Sequence, residues 1–236
     1  MLEIKNVTKK YGEKIAVNDI SLKIKDGEIF GFIGHNGAGK TTLIKSIVGI
    51  HEFDEGDILI NGISIKKSEI EYKKELAYIP DNPDLYDNLK GIDYLNFIAD
   101  IYEVSTETRE KLIKEYAELF NIYNDLGNLI SSYSHGMKQK LAIISALIHE
   151  PKVLVLDEPF VGLDPKSSKD LKDIMKKLCK EGVTIFFSSH VLEVVEKLCD
   201  RVGIIKNGKL IKVGTTKEIT NSEDLESVFL ELTNEK

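Results

Sequence analysis

Glu28-Ile29-Phe30-Gly31-Phe32-Ile33-Gly34-His35-Asn36-Gly37-Ala38-Gly39-Lys40-Thr41-Thr42 decides how the rest of the chain is read. A short apolar, strand-forming run breaks at Gly34, passes through Gly37 and Gly39, and opens onto a helical pattern from Thr41 to Val48. The spacing is G-x-x-x-x-G-K-T, and each fixed position has a physical reason. Glycines let consecutive backbone N–H groups turn inward around an anion, and the new helix adds the positive end of its dipole. Lys40 reaches the β- and γ-phosphates as a point charge, and the Thr41 hydroxyl is a ligand for Mg²⁺. The competing reading is an ordinary glycine-rich turn between strand and helix. The filled lysine and threonine positions and the correct flanks argue against it. The stretch is therefore read as the binding loop of a nucleoside triphosphate, running from Gly34 through Thr42.

Outward from this loop, composition sets bounds. The 236 residues are enough for one large domain or two small ones with a substantial core. A hydrophobic content of 42% beside 30% charged residues is that of a soluble globular protein. The net charge of −7 argues against sequence-independent nucleic-acid binding, which needs a basic face. Apolar runs such as Leu141 to Ile148 fall far short of the roughly 18 residues a membrane span requires. The opening Met1-Leu2-Glu3-Ile4-Lys5 lacks the basic start and apolar core of a signal peptide. Cys179 and Cys199 fall on apolar faces of predicted helices, so buried reduced thiols and a cytosolic setting are expected.

Upstream of the loop, Leu2–Val7 and Val17–Ile24 alternate with period two and predict antiparallel-type strands, punctuated by Tyr11-Gly12. Tyr11 is either a packing residue or an exposed ring that stacks on adenine, an interaction worth about 1–3 kcal/mol. Downstream, Asp57–Ile60 closes at the hairpin signal Asn61-Gly62. Leu76–Ile79 predicts a short strand stopped by Pro80-Asp81-Asn82-Pro83, whose two prolines impose a loop. Residues 91–149 carry three apolar stripes at helical spacing: Ile92, Leu95, Phe97, Ile98 and Ile101; Leu112 through Phe120; and Leu141, Ile144 and Ile148.

The chain then returns to strands and helices. Val153–Leu156 and Val183–Phe187 are fully apolar, as buried parallel strands are. Asp164-Pro165 is a helix start, a helix follows from about His190 to Cys199, and Asn207-Gly208 marks a second hairpin. Leu225, Val228, Phe229 and Leu232 space as an amphipathic helix.

A triphosphate loop needs an acidic partner, and Val153-Leu154-Val155-Leu156-Asp157-Glu158 supplies one. Ligands of parallel sheets collect at strand C-termini, so Asp157 is expected to face Lys40 and Thr41 from the Mg²⁺ side. Glu158 is placed to orient or deprotonate the attacking water. His190 ends another buried strand and can bond the γ-phosphate as charge develops. His35, His51, His135 and His149 show no metal-ligand spacing, and no zinc site is expected.

In motif order these residues resemble the ATP-binding cassette of ABC transporters over essentially the whole chain. Tyr11 looks like the aromatic A-loop, Gly34–Thr42 the Walker A motif, and Asp81 the Q-loop position. Tyr133-Ser134-His135-Gly136-Met137 looks like the signature motif, Val153–Glu158 the Walker B with its catalytic glutamate, Gly162-Leu163-Asp164 the D-loop, and His190 the switch histidine. The segment from Ser134 to Pro165 is especially similar to cassettes of exporters whose membrane subunit is a separate chain.

Two departures stand out. The signature keeps only Ser134 and Gly136 of Leu-Ser-Gly-Gly-Gln, the two positions able to bind a γ-phosphate through a hydroxyl and an unhindered N–H. Asp81 replaces a glutamine, trading a donor-acceptor amide for an acceptor that adds negative charge. It is either a Mg²⁺ or water ligand, or simply a loop residue.

The resemblance implies an α/β fold: a P-loop NTPase parallel-sheet core with an N-terminal antiparallel β-subdomain and an inserted α-helical subdomain. The implied division is a single domain, with residues 1–84 and 150–215 as core, 85–149 as the helical part bearing the signature, and 216–236 as a C-terminal helical tail. It also implies an ATPase using ATP and Mg²⁺, dimerising head-to-tail with a second cassette as a homodimer, so that Ser134 and Gly136 complete the partner's site. That dimer would drive a separate transmembrane permease subunit from the cytoplasmic face of the cell membrane, for export, with no nucleic-acid partner. The alternatives are a non-transport cassette acting in soluble assembly or on ribosomes, and a general P-loop kinase or GTPase. The last leaves the signature region unexplained.

Overall fold

A computed structural model describes residues 1–221 and 223–234 of the chain. In chain order the elements are β1 (Leu2–Tyr11), β2 (Lys14–Ile24), β3 (Ile29–Ile33), α1 (Lys40–Ile47), β4 (Glu55–Ile60), β5 (Ile63–Ser64), α2 (Glu69–Lys74) and β6 (Leu76–Ile79). Then come the helices α3 (Gly91–Ile101), α4 (Thr106–Leu119) and α5 (His135–Leu147). The last part holds β7 (Val153–Asp157), α6 (Pro165–Lys180), β8 (Thr184–Ser188), α7 (Leu192–Leu198), β9 (Arg201–Lys206), β10 (Lys209–Thr215), α8 (Thr216–Thr220) and α9 (Leu225–Asn234).

Two sheets form. The smaller has the order β2-β1-β4-β5 and is antiparallel throughout. The larger has the order β10-β9-β3-β8-β7-β6. Its strands run parallel except β10, which turns back antiparallel on β9. The triphosphate loop thus leaves the middle of the larger sheet, as in other α/β proteins whose ligands bind beyond the strand C-termini.

The fully buried strands divide their side chains with period two between two cores. Phe30 and Phe32, Val153 and Val155, and Phe186 face a core shared with the small sheet and α1. Ile29 and Ile33, Leu154 and Leu156, and Ile185 and Phe187 face the second core, shared with α3–α7 and α9. Each such buried aliphatic or aromatic side chain contributes about 1.5–3 kcal/mol by leaving water, so β3, β7 and β8 are held on both faces. Their C-terminal ends are correspondingly fixed platforms for whatever follows them.

Several expectations need correcting. The first strand runs on to Tyr11 and the second begins at Lys14. The helix expected from His190 begins at Leu192, because Val191 is near-extended (φ −90°, ψ 88°), and Cys199 caps it from outside. Phe97 and Ile101 fall on the apolar stripe of α3 by spacing, yet both are exposed, as is Leu119 of α4. Helix α2 carries no apolar stripe that would predict it; Tyr72 anchors it, fully buried with its hydroxyl donating to the Ile47 carbonyl at 2.8 Å. Asn207-Gly208 does join two strands, but they extend the larger, otherwise parallel sheet. The expected tail 216–236 includes residues 222, 235 and 236, which lie outside the described residues.

Candidate active site

The loop between β3 and α1 is shaped by what its glycines touch. A Cβ on Gly34 would lie 2.6 Å from the Ile205 carbonyl oxygen of β9. Gly39 has φ 112° and would carry a Cβ only 2.4 Å from the Ala16 oxygen. Both approaches require glycine. The Ala38 N–H turns back onto the His35 carbonyl at 3.1 Å, and the Gly208 N–H from the β9–β10 turn holds the Ala38 carbonyl at 2.8 Å. Helix α1 starts with neither a side-chain cap nor an acidic residue in its first turn. Its N-terminal dipole is therefore not neutralised from within the helix, which favours an anion there.

Lys40 is buried, and its ammonium donates to the carbonyls of Gly34 at 2.6 Å and His35 at 3.3 Å. Burial pushes its pKa down, while the nearby charges of Glu158 and Asp157 push it up. Asp157 ends β7 and is buried. Burial raises its pKa, hydrogen bonds from Ser188 and Thr41 lower it, and the charges of Asp81 and Glu158 raise it again. The Ser188 hydroxyl donates to Asp157 Oδ1.

The next residue, Glu158, adopts φ 48°, a left-handed conformation that costs a non-glycine residue about 1–3 kcal/mol. Its N–H bonds the Ser188 carbonyl and hydroxyl oxygens, both at 3.3 Å. The turn swings its carboxylate toward His190, whose Nδ1 lies 2.9 Å and whose backbone N–H 3.2 Å from Glu158 Oε2. With Nδ1–H donating to the carboxylate, the Nε2 of the exposed His190 ring is left for a further partner.

A cleft of about 450 Å³ gathers Tyr11, Lys14, Asn36, Gly37, Gly39, Lys40, Thr41, Thr42, Asp81, Asp157 and Glu158. Tyr11 stands at its mouth, half exposed, with the His51 ring edge-on at 6.1 Å and the Lys9 ammonium 5.1 Å from its centroid. The ring is thus positioned by neighbours and not consumed in a core. Asp81 is exposed and lines the cleft while its Oδ1 accepts the Asn82 N–H at 2.9 Å.

Gly34 and His35 do not line that cleft. They face a second one of about 450 Å³ behind the loop, with Asn36, Ser189, His190, Leu192 and Phe229. Ser134 and Gly136 are likewise absent from the cleft's lining. Ser134 caps α5 by accepting the Met137 N–H at 3.3 Å, leaving its own proton free to donate. Gly136 sits against the turn before α6, where a Cβ would come within 2.9 Å of the Gly162 oxygen, and the His135 ring lies over Gly162. Asp164, which caps α6 through Ser167, also pairs with Lys140 of α5 at 2.9 Å. Its carboxyl is held well below the usual range by the Ser167 and Lys140 bonds.

Ser188 was not among the sequence candidates. The only signal was its place at the end of an apolar strand one residue short of Ser189-His190, which says nothing of a hydroxyl turned across onto the neighbouring strand's carboxylate.

The family model for ABC transporters matches residues 17–161. The linearmycin resistance ATP-binding protein LnrL of Bacillus subtilis (strain 168) is 37% identical over 219 residues, covering 93% of this chain and 70% of LnrL. A solved ATP-binding subunit of an ABC transporter superposes with a TM-score of 0.95 at 33% identity, over 98% of this chain and 99% of that one. A dimeric ATP-binding cassette bound to ADP and phosphate in a post-hydrolysis state superposes with a TM-score of 0.82 at 25% identity, over 92% and 99%. This chain belongs to the ABC transporter family.

Proposed function

From that membership we infer that the chain is the ATP-hydrolysing subunit of an exporter, working as a pair of cassettes on a separate membrane subunit. The observation that carries the reading is a division within the molecule. One cleft holds Lys40, the buried Asp157 and Glu158, whose carboxylate His190 bonds from the neighbouring cleft, whereas Ser134 and Gly136 sit apart beside residues 162–164. Half of the γ-phosphate ligands must then come from a second copy. The dimeric cassette bound to ADP and phosphate supports this arrangement, and the resistance role in the name of LnrL supports outward transport.

The roles follow from the geometry. Tyr11 stacks on adenine, and the backbone N–H groups of residues 36–41 with Lys40 hold the phosphates. The hydroxyl of Thr41 and the carboxylate of Asp157, with Asp81 facing them, form the hard-oxygen set that suits Mg²⁺. When bound, that ion neutralises charge on the phosphate oxygens. Glu158 takes the proton of the attacking water, and His190 holds the carboxylate through Nδ1–H while Nε2 faces the departing phosphate. Ser134 donates its hydroxyl proton to the partner's γ-phosphate.

Among the described residues no helix is long and apolar enough to cross a membrane, so attachment to the cytoplasmic face rests on the membrane subunit. The helical block α3–α5 and the Asp81 loop carry the motion to it. Affinity capture of the tagged chain from detergent-solubilised membranes tests the whole reading. A polytopic membrane protein in stoichiometric amount is expected. Recovery with ribosomes or soluble assembly proteins alone would overturn it in favour of a non-transport cassette.

A further inference from the structure

The phosphate loop has one large side chain that does not point at the nucleotide cleft. His35 turns the other way, and its ring meets the ring of Phe229 at a centroid distance of 4.9 Å and an interplanar angle of 56°. Phe229 belongs to α9, far along the chain from the loop, and is itself buried.

Helix α9 is well anchored. Asp224 caps it by accepting the Ser227 N–H at 2.8 Å and the Ser227 hydroxyl at 3.0 Å. The Leu225 N–H donates to Glu196 of α7 at 3.0 Å, and Leu225, Val228 and Phe229 are buried in the core that also holds Val195 and Leu198 of α7. Helix α7 begins two residues after His190. One helix therefore touches the phosphate loop directly and the segment behind the switch histidine through α7. The cleft behind the loop has His35, His190 and Phe229 on its walls.

The physical need for such a support is plain. Gly37 and Gly39 both lie at positive φ, where glycine keeps many alternative conformations open to the free loop. Ordering that backbone around phosphates costs entropy at the moment of binding unless the loop is already held. Lys40 and Gly208 hold it on the cleft and sheet sides. His35 is the handle on the remaining side.

We propose that Phe229 is a positioning residue for the phosphate loop, acting through the His35 ring, so that α9 presets the loop for nucleotide. The proposal rests on the reading of Gly34–Thr42 as the triphosphate loop, and goes beyond it by giving the C-terminal helix a part in ATP affinity.

The test is a double-mutant cycle on the full chain with His35→Ala, Phe229→Leu and the pair, titrated with Mg-ATP by calorimetry and assayed for ATPase activity. Each single variant should weaken Mg-ATP binding about fivefold, the scale of one aromatic pair. The double variant should be no weaker than either single. For Phe229→Leu, KM for ATP should rise while kcat at saturation stays within about twofold, and Phe229→Tyr, which keeps the ring, should keep the parent affinity. His35 is exposed, so its removal reads the contact even if Phe229→Leu loosens α9. Parent-like affinity in both single variants, strictly additive losses, or a fall in kcat with KM unchanged would each overturn the brace. A parent chain that fails to bind Mg-ATP would instead overturn the nucleotide reading beneath it.

Discussion

Removing the Ser188 hydroxyl should uncouple Asp157 from its strand neighbour. In the folded chain that hydroxyl donates to the buried Asp157 carboxylate, and it also faces the Glu158 N–H at 3.3 Å. A hydrogen bond to a charged group contributes about 1.5–3 kcal/mol, so Ser188→Ala should lose that much stability at neutral pH. For a chain of this size, that corresponds to a fall in Tm of roughly 3–12 °C.

The pH dependence is more telling. Burial raises the Asp157 pKa in the folded state, and the Ser188 bond opposes it. A carboxyl with a raised folded pKa contributes stability below its unfolded pKa and loses it as pH rises through the folded one. Ser188→Ala raises the folded value further. Its deficit should therefore be small in acid, where the carboxyl is neutral in both proteins, and full at neutral pH. The acid limb of the Mg²⁺-dependent ATPase profile should move to higher pH for the same reason. Thermal melts across pH 4–8 together with the pH–rate profile measure both. An equal stability deficit at both ends of that range, with an unmoved acid limb, would refute the reasoning and reduce Ser188 to a packing residue.

Asp81→Asn should do the opposite to that limb. Its charge raises the Asp157 pKa, so the acid limb of the ATPase profile should shift to lower pH; a shift upward would show that Asp81 acts in another way. Glu158→Gln should bind Mg-ATP and dimerise by size-exclusion chromatography while turning over roughly 10²–10⁴-fold more slowly. Parent-like turnover would remove Glu158 as the base. Tyr11→Ala should weaken ATP binding by about 1–3 kcal/mol, or roughly 5–150-fold, with the tripolyphosphate anion binding unchanged. Equal loss for both ligands would make the ring a packing residue.

Much of the site is local, and local features can be read from order alone. The loop Gly34–Thr42, the carboxylates Asp157 and Glu158, and His190 each follow a buried apolar run, and a parallel sheet sends all such run-ends to one side. Cap chemistry is equally local: Asp164 and Ser134 start their helices through side-chain bonds three residues long. What escaped the sequence depends on distance. The short helix α2 lacks a stripe and exists because Tyr72 reaches the end of α1. Phe97 and Ile101 fit a helical stripe by spacing, yet face outward, because spacing names a face without saying which faces find partners.

Residue order by itself determined that this chain folds as an α/β protein around a triphosphate loop, since glycine conformational freedom, strand and helix periodicity and the Lys-Thr pair act over a few residues. Only the tertiary structure decided that Ser188 holds Asp157, that Glu158 turns through a left-handed backbone onto His190, and that His35 leans on Phe229. Each of these joins residues that lie at least 31 positions apart in the chain. Such pairs are chosen by the packing of the whole core, and periodicity along the chain carries no record of them.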